Sequence, residues 1–420
     1  MSLDLDHARE LDASDPLRDF RDHFHIPPHG DEGPSVYLCG NSLGLQPKRV
    51  ERDIHQELED WAELGVEGHF DGRDPWYSYH EKFSALLAPI VGAHPDEVVV
   101  MNSLTTNLHL MMVSFYRPTA ARYKIMVEGG AFPSDKYAVA SQAHFHGFDP
   151  DEAVVELEPR DGEHTLRDED VLAAIEEHGD ELALIMLGGV NYYTGQVFDF
   201  ASITEKGHDV GAVVGFDLAH AAGNYPLELH DWDVDFACWC TYKYLNAGPG
   251  AIAGCFVHER YADAPELPRF AGWWGNDPES RFEMNETFVP QKGAGGWQLS
   301  NAPVFSMTPL KASLKLFDEA GMDRLRKKSL DLTGFAHRLI DDIPGDAFEL
   351  ITPRAPERRG CQLSLLAAGD GRSLFDKLQS EGVICDFREP NVIRVAPVPL
   401  YNTFEDVWDF CDILRRSVTT

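Results

Sequence analysis

Two residues near the ends of successive apolar runs could together carry out amine–carbonyl chemistry. Val213-Val-Gly-Phe-Asp217 reads as a short strand ending in a carboxylate, followed by Leu-Ala-His220. A carboxylate at a buried strand tip loses hydration unless a cation compensates it. A protonated pyridine nitrogen is such a cation, and an enzyme using pyridoxal phosphate needs that proton to make the ring an electron sink. His220 faces the same side if the chain turns helical there. The same residues also fit a plainer role, with Asp217 capping the next helix and His220 at the surface.

Further along, Trp239-Cys-Thr-Tyr242-Lys243-Tyr244 is followed by Gly248-Pro-Gly250. A charged, unpaired lysine behind an aromatic strand is costly. A Schiff base with an aldehyde removes the cost and makes a reactive centre. Alone, Lys243 also fits a strand-end lysine whose ammonium reaches water. Asp217 and Lys243 on successive strands favour the cofactor. Its phosphate would find a cradle at Ser103-Leu104-Thr105-Thr106, where a strand runs into a helix with free N–H groups and hydroxyls. Simple capping is the other reading of those hydroxyls. The turn Gly129-Gly-Ala-Phe132-Pro133-Ser134-Asp135 would set an aromatic face and a carboxylate at the same sheet edge.

The elements that must position these groups are legible as alternation. Runs at 98–101, 124–128, 153–157, 183–187, 213–216, 236–240 and 251–257 are short and continuously apolar, with helical stretches between them. Such strands are buried on both faces, so the expected fold is α/β, a mostly parallel seven-stranded sheet covered by helices. In such sheets ligands sit outside the carboxyl ends of the strands. Apolar spacing over 47–70 predicts a helix, and residues 1–36 read as a helix followed by a Pro-punctuated arm. After about residue 320 a smaller α/β pattern follows, with a helix over 322–343, strands at 348–351, 361–366 and 392–395, and a helix from Phe404 with an N-cap at Asn402-Thr403. The expected division is 1–65 as arm and helix, 66–319 as the large cofactor domain, and 320–420 as the small domain.

Composition narrows the partners. The 420 residues are 43% hydrophobic and 25% charged, enough for a large core. A net charge of −34 disfavours nucleic acid and anionic membranes. No apolar run approaches the length of a membrane span, and the acidic start lacks signal-peptide character, so a cytoplasmic address is expected. Seven scattered cysteines suggest reduced thiols rather than a disulfide framework.

Taken with Tyr37-Leu-Cys-Gly-Asn41-Ser42-Leu-Gly44, Asn191-Tyr-Tyr-Thr-Gly-Gln196 and Arg394-Val-Ala-Pro-Val-Pro-Leu-Tyr-Asn402, these motifs resemble kynureninase in order from about residue 35 to 410. That family consists of pyridoxal-phosphate enzymes of fold type I, the aspartate-aminotransferase fold. The resemblance implies hydrolysis of L-kynurenine, or its 3-hydroxy form, to anthranilate or 3-hydroxyanthranilate and L-alanine. The setting would be tryptophan breakdown or NAD precursor synthesis. It implies that Lys243 carries the cofactor and Asp217 pairs with the ring nitrogen. Leu104, Thr105 and Tyr242 would hold the phosphate, and Tyr242 would also donate a proton. Phe132 would stack on the ring, with Pro133, Ser134, Asp135 and His220 beside it. Trp273 and Asn301 match positions expected from the partner subunit of a homodimer, with the adjacent Trp274 leaving open which indole faces the site. Arg394 would clamp the substrate α-carboxylate. Ser42, His69 and Asn301 would line the aryl pocket, a polar lining that fits either a preference for 3-hydroxykynurenine or contacts to water or the γ-carbonyl. Where many relatives carry a serine that reaches the phosphate, this chain has Gly188.

Other readings make distinct demands. A cysteine desulfurase needs a nucleophilic thiol on a mobile loop before the small domain's arginine, and Cys361 is the nearest candidate. A metal site could use Cys238 and Cys240 with His220 or His258, although such a pair amid Phe, Ala and Trp usually packs as core. No metal is expected. A catalytically dead binding module would have no need of Lys243, Asp217, Tyr242 and Arg394 together.

Overall fold

The computed structural model describes residues 3–31 and 33–419. Its centre is a sheet of β1 (Val98–Val100), β2 (Lys124–Glu128), β3 (Val154–Leu157), β4 (Leu182–Gly188), β5 (Val213–Asp217), β6 (Phe236–Trp239) and β7 (Gly254–Val257). The spatial order is β1-β7-β6-β5-β4-β2-β3. All neighbours run parallel except β7, which is antiparallel to both β1 and β6. The seven apolar runs thus became seven strands, and the sheet is mostly parallel as expected. Alternate residues feed two cores: Val98, Val100, Trp239 and Phe256 enter one, and Val99, Phe236, Cys238 and Cys255 the other.

Helices cover both faces. α1 (Leu5–Ser14) and α2 (Arg49–Leu64) come first, and α3 (Leu104–Phe115) and α4 (Pro133–Phe145) follow β1 and β2. Met111 and Met112 pack in the core beside Phe115 and Trp297, as their helical spacing predicts. His144-Phe-His146, which alternates like a strand edge, instead closes α4. Three residues are too short a window to separate the two periods.

α5 (Val304–Ala320) and α6 (Met322–Asp341) lead to a second sheet of β8 (Phe348–Leu350), β9 (Leu363–Ala367), β10 (Asp386–Arg388) and β11 (Val392–Val395). Its order is β10-β11-β9-β8, antiparallel throughout. α7 (Gly371–Ser380) and α8 (Phe404–Thr419) pack on it with α6, sharing an apolar core to which α1 adds Ala8. The predicted N-cap is present: Thr403 Oγ1 accepts from Asp406 N at 3.0 Å and Asp406 Oδ2 accepts from Thr403 N at 3.1 Å. Val36–Tyr37 pairs parallel with Val383–Ile384 in a separate two-stranded sheet, so the arm is stitched to the segment between α7 and β10. No described helix is long and apolar enough to cross a membrane.

The consequence for chemistry lies in the strand order. β3 returns beside β2, whereas β4 crosses to its other side and β5 and β6 continue away from it. The carboxyl ends of β2, β4, β5 and β6 therefore flank a crevice at the point where the winding reverses. Glu128, Gly188 and Asp217 are the last residues of the first three.

Candidate active site

A cavity of about 320 Å³ opens over those strand ends. Of the residues singled out in the sequence, Ser42, Leu104, Thr105, Phe132, Ser134, Asp135, Asp217, His220, Tyr242, Lys243 and Arg394 line it. Pro133 does not line it, because it forms the exposed first turn of α4, where a missing N–H costs nothing. His69, Trp273 and Asn301 also stand outside the cavity of their own chain.

Lys243 Nζ lies 2.9 Å from His220 Nε2 and 6.0 Å from the centre of the Phe132 ring. Burial, then the Lys243 charge, pushes His220 well below its ordinary pKa, so the imidazole stays neutral and accepts from the ammonium. The segment is held by the arm: Gly44 N donates to Tyr242 O at 2.8 Å. A side chain on Gly44 would collide with Lys243 O, so only glycine lets the two backbones approach this closely.

Asp217 is buried at 6% exposure and accepts from Ala219 N at 2.7 Å. Burial raises its pKa, opposed by the Ala219 N–H and the Lys243 charge. Asp135 is pushed well above the ordinary range by burial, then by the Asp217 charge and their mutual hydrogen bond. Protonated Asp135 therefore donates to ionised Asp217. The carboxylate of Asp217 has an acid beside it, while the nearest ammonium is engaged by His220. A protonated ring nitrogen would give Asp217 a cation of its own, and His220 Nδ1 beside it is buried without a hydrogen-bond partner.

The opposite end suits a phosphate. α3 starts at Leu104 and α4 at Pro133, so two helix N-termini converge. Thr105 Oγ1 and Ser134 Oγ join them at 2.7 Å. α3 brings unpaired N–H groups and α4 that of Ser134, since Pro133 has none and Asp135 N bonds Phe132 O at 2.9 Å; each terminus also carries roughly half a positive charge. Tyr242 closes this wall, its hydroxyl kept protonated because burial raises its pKa.

Arg394 is 1% exposed and comes from β11. Its Nη1 donates to Tyr192 O at 2.6 Å, and its Nη2 to Asp386 Oδ2 at 2.6 Å. The Asn191-Tyr-Tyr-Thr motif explains the first bond. Asn191 Oδ1 accepts from Tyr193 N at 3.0 Å and Thr194 N at 2.9 Å, a turn that fixes the Tyr192 carbonyl.

Several lining residues escaped the sequence reading. Glu128 follows an apolar run as Asp217 does, and that shared pattern was the available signal. Its Oε2 accepts from Gly188 N at 2.9 Å, and a Cβ on Gly188 would meet Oε1 at 2.6 Å. Gly188 is also the register partner of Asp217. A carboxyl group from the adjacent strand thus fills the space that a side chain at position 188 would take. Tyr192 and Arg388 also line the cavity, and the Tyr192 ring meets Phe132 edge-on at 5.2 Å. Trp274 is buried: its Nε1 donates to His80 Nδ1 at 3.3 Å and Arg281 covers its ring. Trp273 is the indole that remains 47% exposed.

The alternatives find no such convergence. Cys361 is fully buried, its thiol pushed up to about 12 by that burial, unlike a nucleophile on a mobile loop. Cys238 Sγ faces Cys255 Sγ at 3.6 Å inside the core rather than His220 or His258. One imidazole–carboxylate cluster, His94, Glu97 and His230, lies elsewhere among the described residues. There Glu97 accepts from His230 Nδ1, Glu259 N and His94 N, and the His94 and His230 rings stack at 3.9 Å.

Fold and cavity define a fold type I pyridoxal-phosphate enzyme. Solved structures of this shape include a cysteine desulfurase from Escherichia coli, with a TM-score of 0.75 and 19% identity, covering 96% of this chain and 98% of that one. Another is the cystine C–S lyase C-DES with its product cysteine persulfide, with a TM-score of 0.73 and 17% identity over 91% and 97% of the two chains. At such identities the likeness concerns the fold alone. Residues 325–414 match the family model described as the kynureninase C-terminal domain. The kynureninase of Koribacter versatilis is 60% identical over 403 residues, 96% of this chain and 95% of that protein. That of Myxococcus xanthus is 60% identical over 408 residues, 97% and 96% of the two. The chain belongs to the kynureninase family, pyridoxal-phosphate-dependent hydrolases of a carbon–carbon bond.

Proposed function

We propose that this protein hydrolyses the Cβ–Cγ bond of L-kynurenine and 3-hydroxy-L-kynurenine, releasing the anthranilate and L-alanine. The observation that carries the reading is the gathering of Lys243, Asp217 and two helix N-termini around one cavity. Pyridoxal phosphate supplies an aldehyde for amine exchange and a protonated ring that stores an electron pair. Asp217 keeps the proton on the ring nitrogen, with Asp135 stabilising its charge. Thr105, Ser134 and the N–H groups of Leu104 and Thr105 would hold the phosphate, and Phe132 would offer its face to the ring. Lys243 takes and returns the proton at Cα, with neutral His220 accepting from its Nζ. Water adds at the γ-carbonyl, the Cβ–Cγ bond breaks, and Tyr242, held protonated by burial, gives its proton to Cβ. Arg394 orients the α-carboxylate.

The working unit is a homodimer in which Trp273, Asn301 and His69 of one subunit complete the other's cavity. Trp273, Phe70 and Phe282 are 47%, 56% and 54% exposed and pack in one aromatic cluster with Tyr77, an apolar surface suited to a second copy. Residues 66–319 carry the cofactor, while 1–65 and 320–420 close over it. His69 and Asn301 hydrogen-bond a ring hydroxyl, which favours 3-hydroxykynurenine. The protein acts in the cytoplasm, in tryptophan breakdown or NAD precursor synthesis. Purified protein should show a visible absorption band, abolished in Lys243→Ala, and should release an anthranilate from both substrates. A colourless wild type, or no release from either substrate, refutes the reading. An equal or higher kcat/KM for kynurenine refutes only the ring preference.

A further inference from the structure

The cavity wall supplied by the second sheet holds two guanidiniums and one carboxylate. Asp386 and Arg394 are register partners on β10 and β11. Arg388 lies two residues along β10, on the face that carries Asp386. Its Nη2 donates to Asp386 Oδ2 at 3.1 Å, the oxygen that already accepts from Arg394 Nη2 and hydrogen-bonds Ser42 Oγ. One carboxylate oxygen is thus crowded by three partners. Meanwhile Asp386 Oδ1 and the Nε groups of Arg388 and Arg394 are buried without any.

This pattern constrains how a substrate can dock. Arg394 already gives one N–H of Nη1 to the Tyr192 carbonyl and one of Nη2 to Asp386, so only its remaining N–H groups are free for a carboxylate. Two cations against one anion leave one positive charge in excess, the complement of a single carboxylate. A buried pair would be balanced by Arg394 and Asp386 alone, so the second arginine is surplus to structure. Arg388, Arg394 and Ser42 all line the cavity, and the side chain of Arg388 is 38% exposed against 1% for Arg394.

We propose that Arg388 is a second carboxylate-binding residue, so that the α-carboxylate is gripped between Arg394 and Arg388. Asp386 is the positioning residue that spaces the two guanidiniums. The inference rests on the kynurenine-cleaving reading above and assigns the substrate contact within it. It makes the site selective for amino acids over the corresponding amines, because removal of the carboxylate leaves two cations sharing one anion.

The test uses holoenzyme and two probes that differ by one group: L-alanine, and ethylamine, which lacks the carboxylate. Binding of each is read from the cofactor's visible absorption. Arg388→Gln should weaken L-alanine and raise the KM for L-kynurenine by about tenfold or more, the value of a charge-assisted contact. Ethylamine affinity should not change, and kcat should stay within about twofold. Arg388→Lys should recover part of the loss, since a point charge replaces a fork. Unchanged L-alanine affinity in Arg388→Gln overturns the proposal, as does equal weakening of both probes. If Arg388→Gln does not fold, Arg388→Lys gives the same comparison: selective loss of L-alanine supports the pair, and no selective loss overturns it. Failure of the wild type to release an anthranilate refutes the underlying reaction instead, and wild-type turnover is measured first.

Discussion

Glu128 offers a quantitative probe of the cavity, because its charge is suppressed by its surroundings. Burial, with Asp217 nearby, raises its pKa from 4.5 to about 7, against the stabilising N–H of Gly188. An unfolded chain ionises this group near the ordinary value, whereas the folded chain keeps it protonated up to about 7. The folded state therefore holds the extra proton between those limits. Its stability falls as pH rises through that window, and the penalty is complete above it. At about 1.4 kcal/mol per pH unit, the interval corresponds to roughly 3 kcal/mol. Glu128→Gln keeps the shape and the acceptor for Gly188 N but cannot ionise. In cofactor-free protein at pH 8 the substitution should raise Tm by on the order of 3 °C, given the unfolding entropy of a chain this long. The gain should shrink at pH 5.5, where most of the wild-type carboxyl groups remain protonated in the folded state. Thermal melts of both proteins at the two pH values decide the matter. A Tm difference that is the same at pH 5.5 and pH 8 would refute a titrating buried carboxyl at this position.

Two further substitutions probe the cofactor end and the scaffold. Asp217→Asn cannot hold a proton on the ring nitrogen and should lower kcat by about a hundredfold or more while the protein still folds, a loss read in steady-state assays of anthranilate release. Lys311 ties α5 to α2, donating to Asp74 Oδ2 at 2.6 Å and to the fully buried Glu57 Oε1 at 3.4 Å. Lys311→Met should cost about 3–5 kcal/mol in urea unfolding, and the added change Glu57→Gln should return part of it by removing the stranded charge.

The sequence disclosed those parts of the site whose chemistry is carried by one short segment. Asp217 and Lys243 each end or follow a buried strand, and a charge in that place already calls for a partner. Glu128 has the same local signature, but its significance depends on β2 lying beside β4, a neighbour far away in sequence. Periodicity reveals that strands exist, whereas their order is decided by how crossover helices pack, and so β7 running antiparallel was not legible either. Arg388 and Asp386 illustrate a second limit. Alternation along β10 puts them on one face, yet only the antiparallel register with β11 brings Arg394 to the same oxygen. His69, Trp273 and Asn301 mark a third, because one folded chain leaves all three outside its own cavity. The roles proposed for them above require a second copy, and the exposed aromatic cluster around Trp273 is an apolar surface suited to one. Residues whose partners are local can thus be read from a string of letters, those whose partners lie across a sheet need the register, and those whose partners lie in another molecule need the assembly.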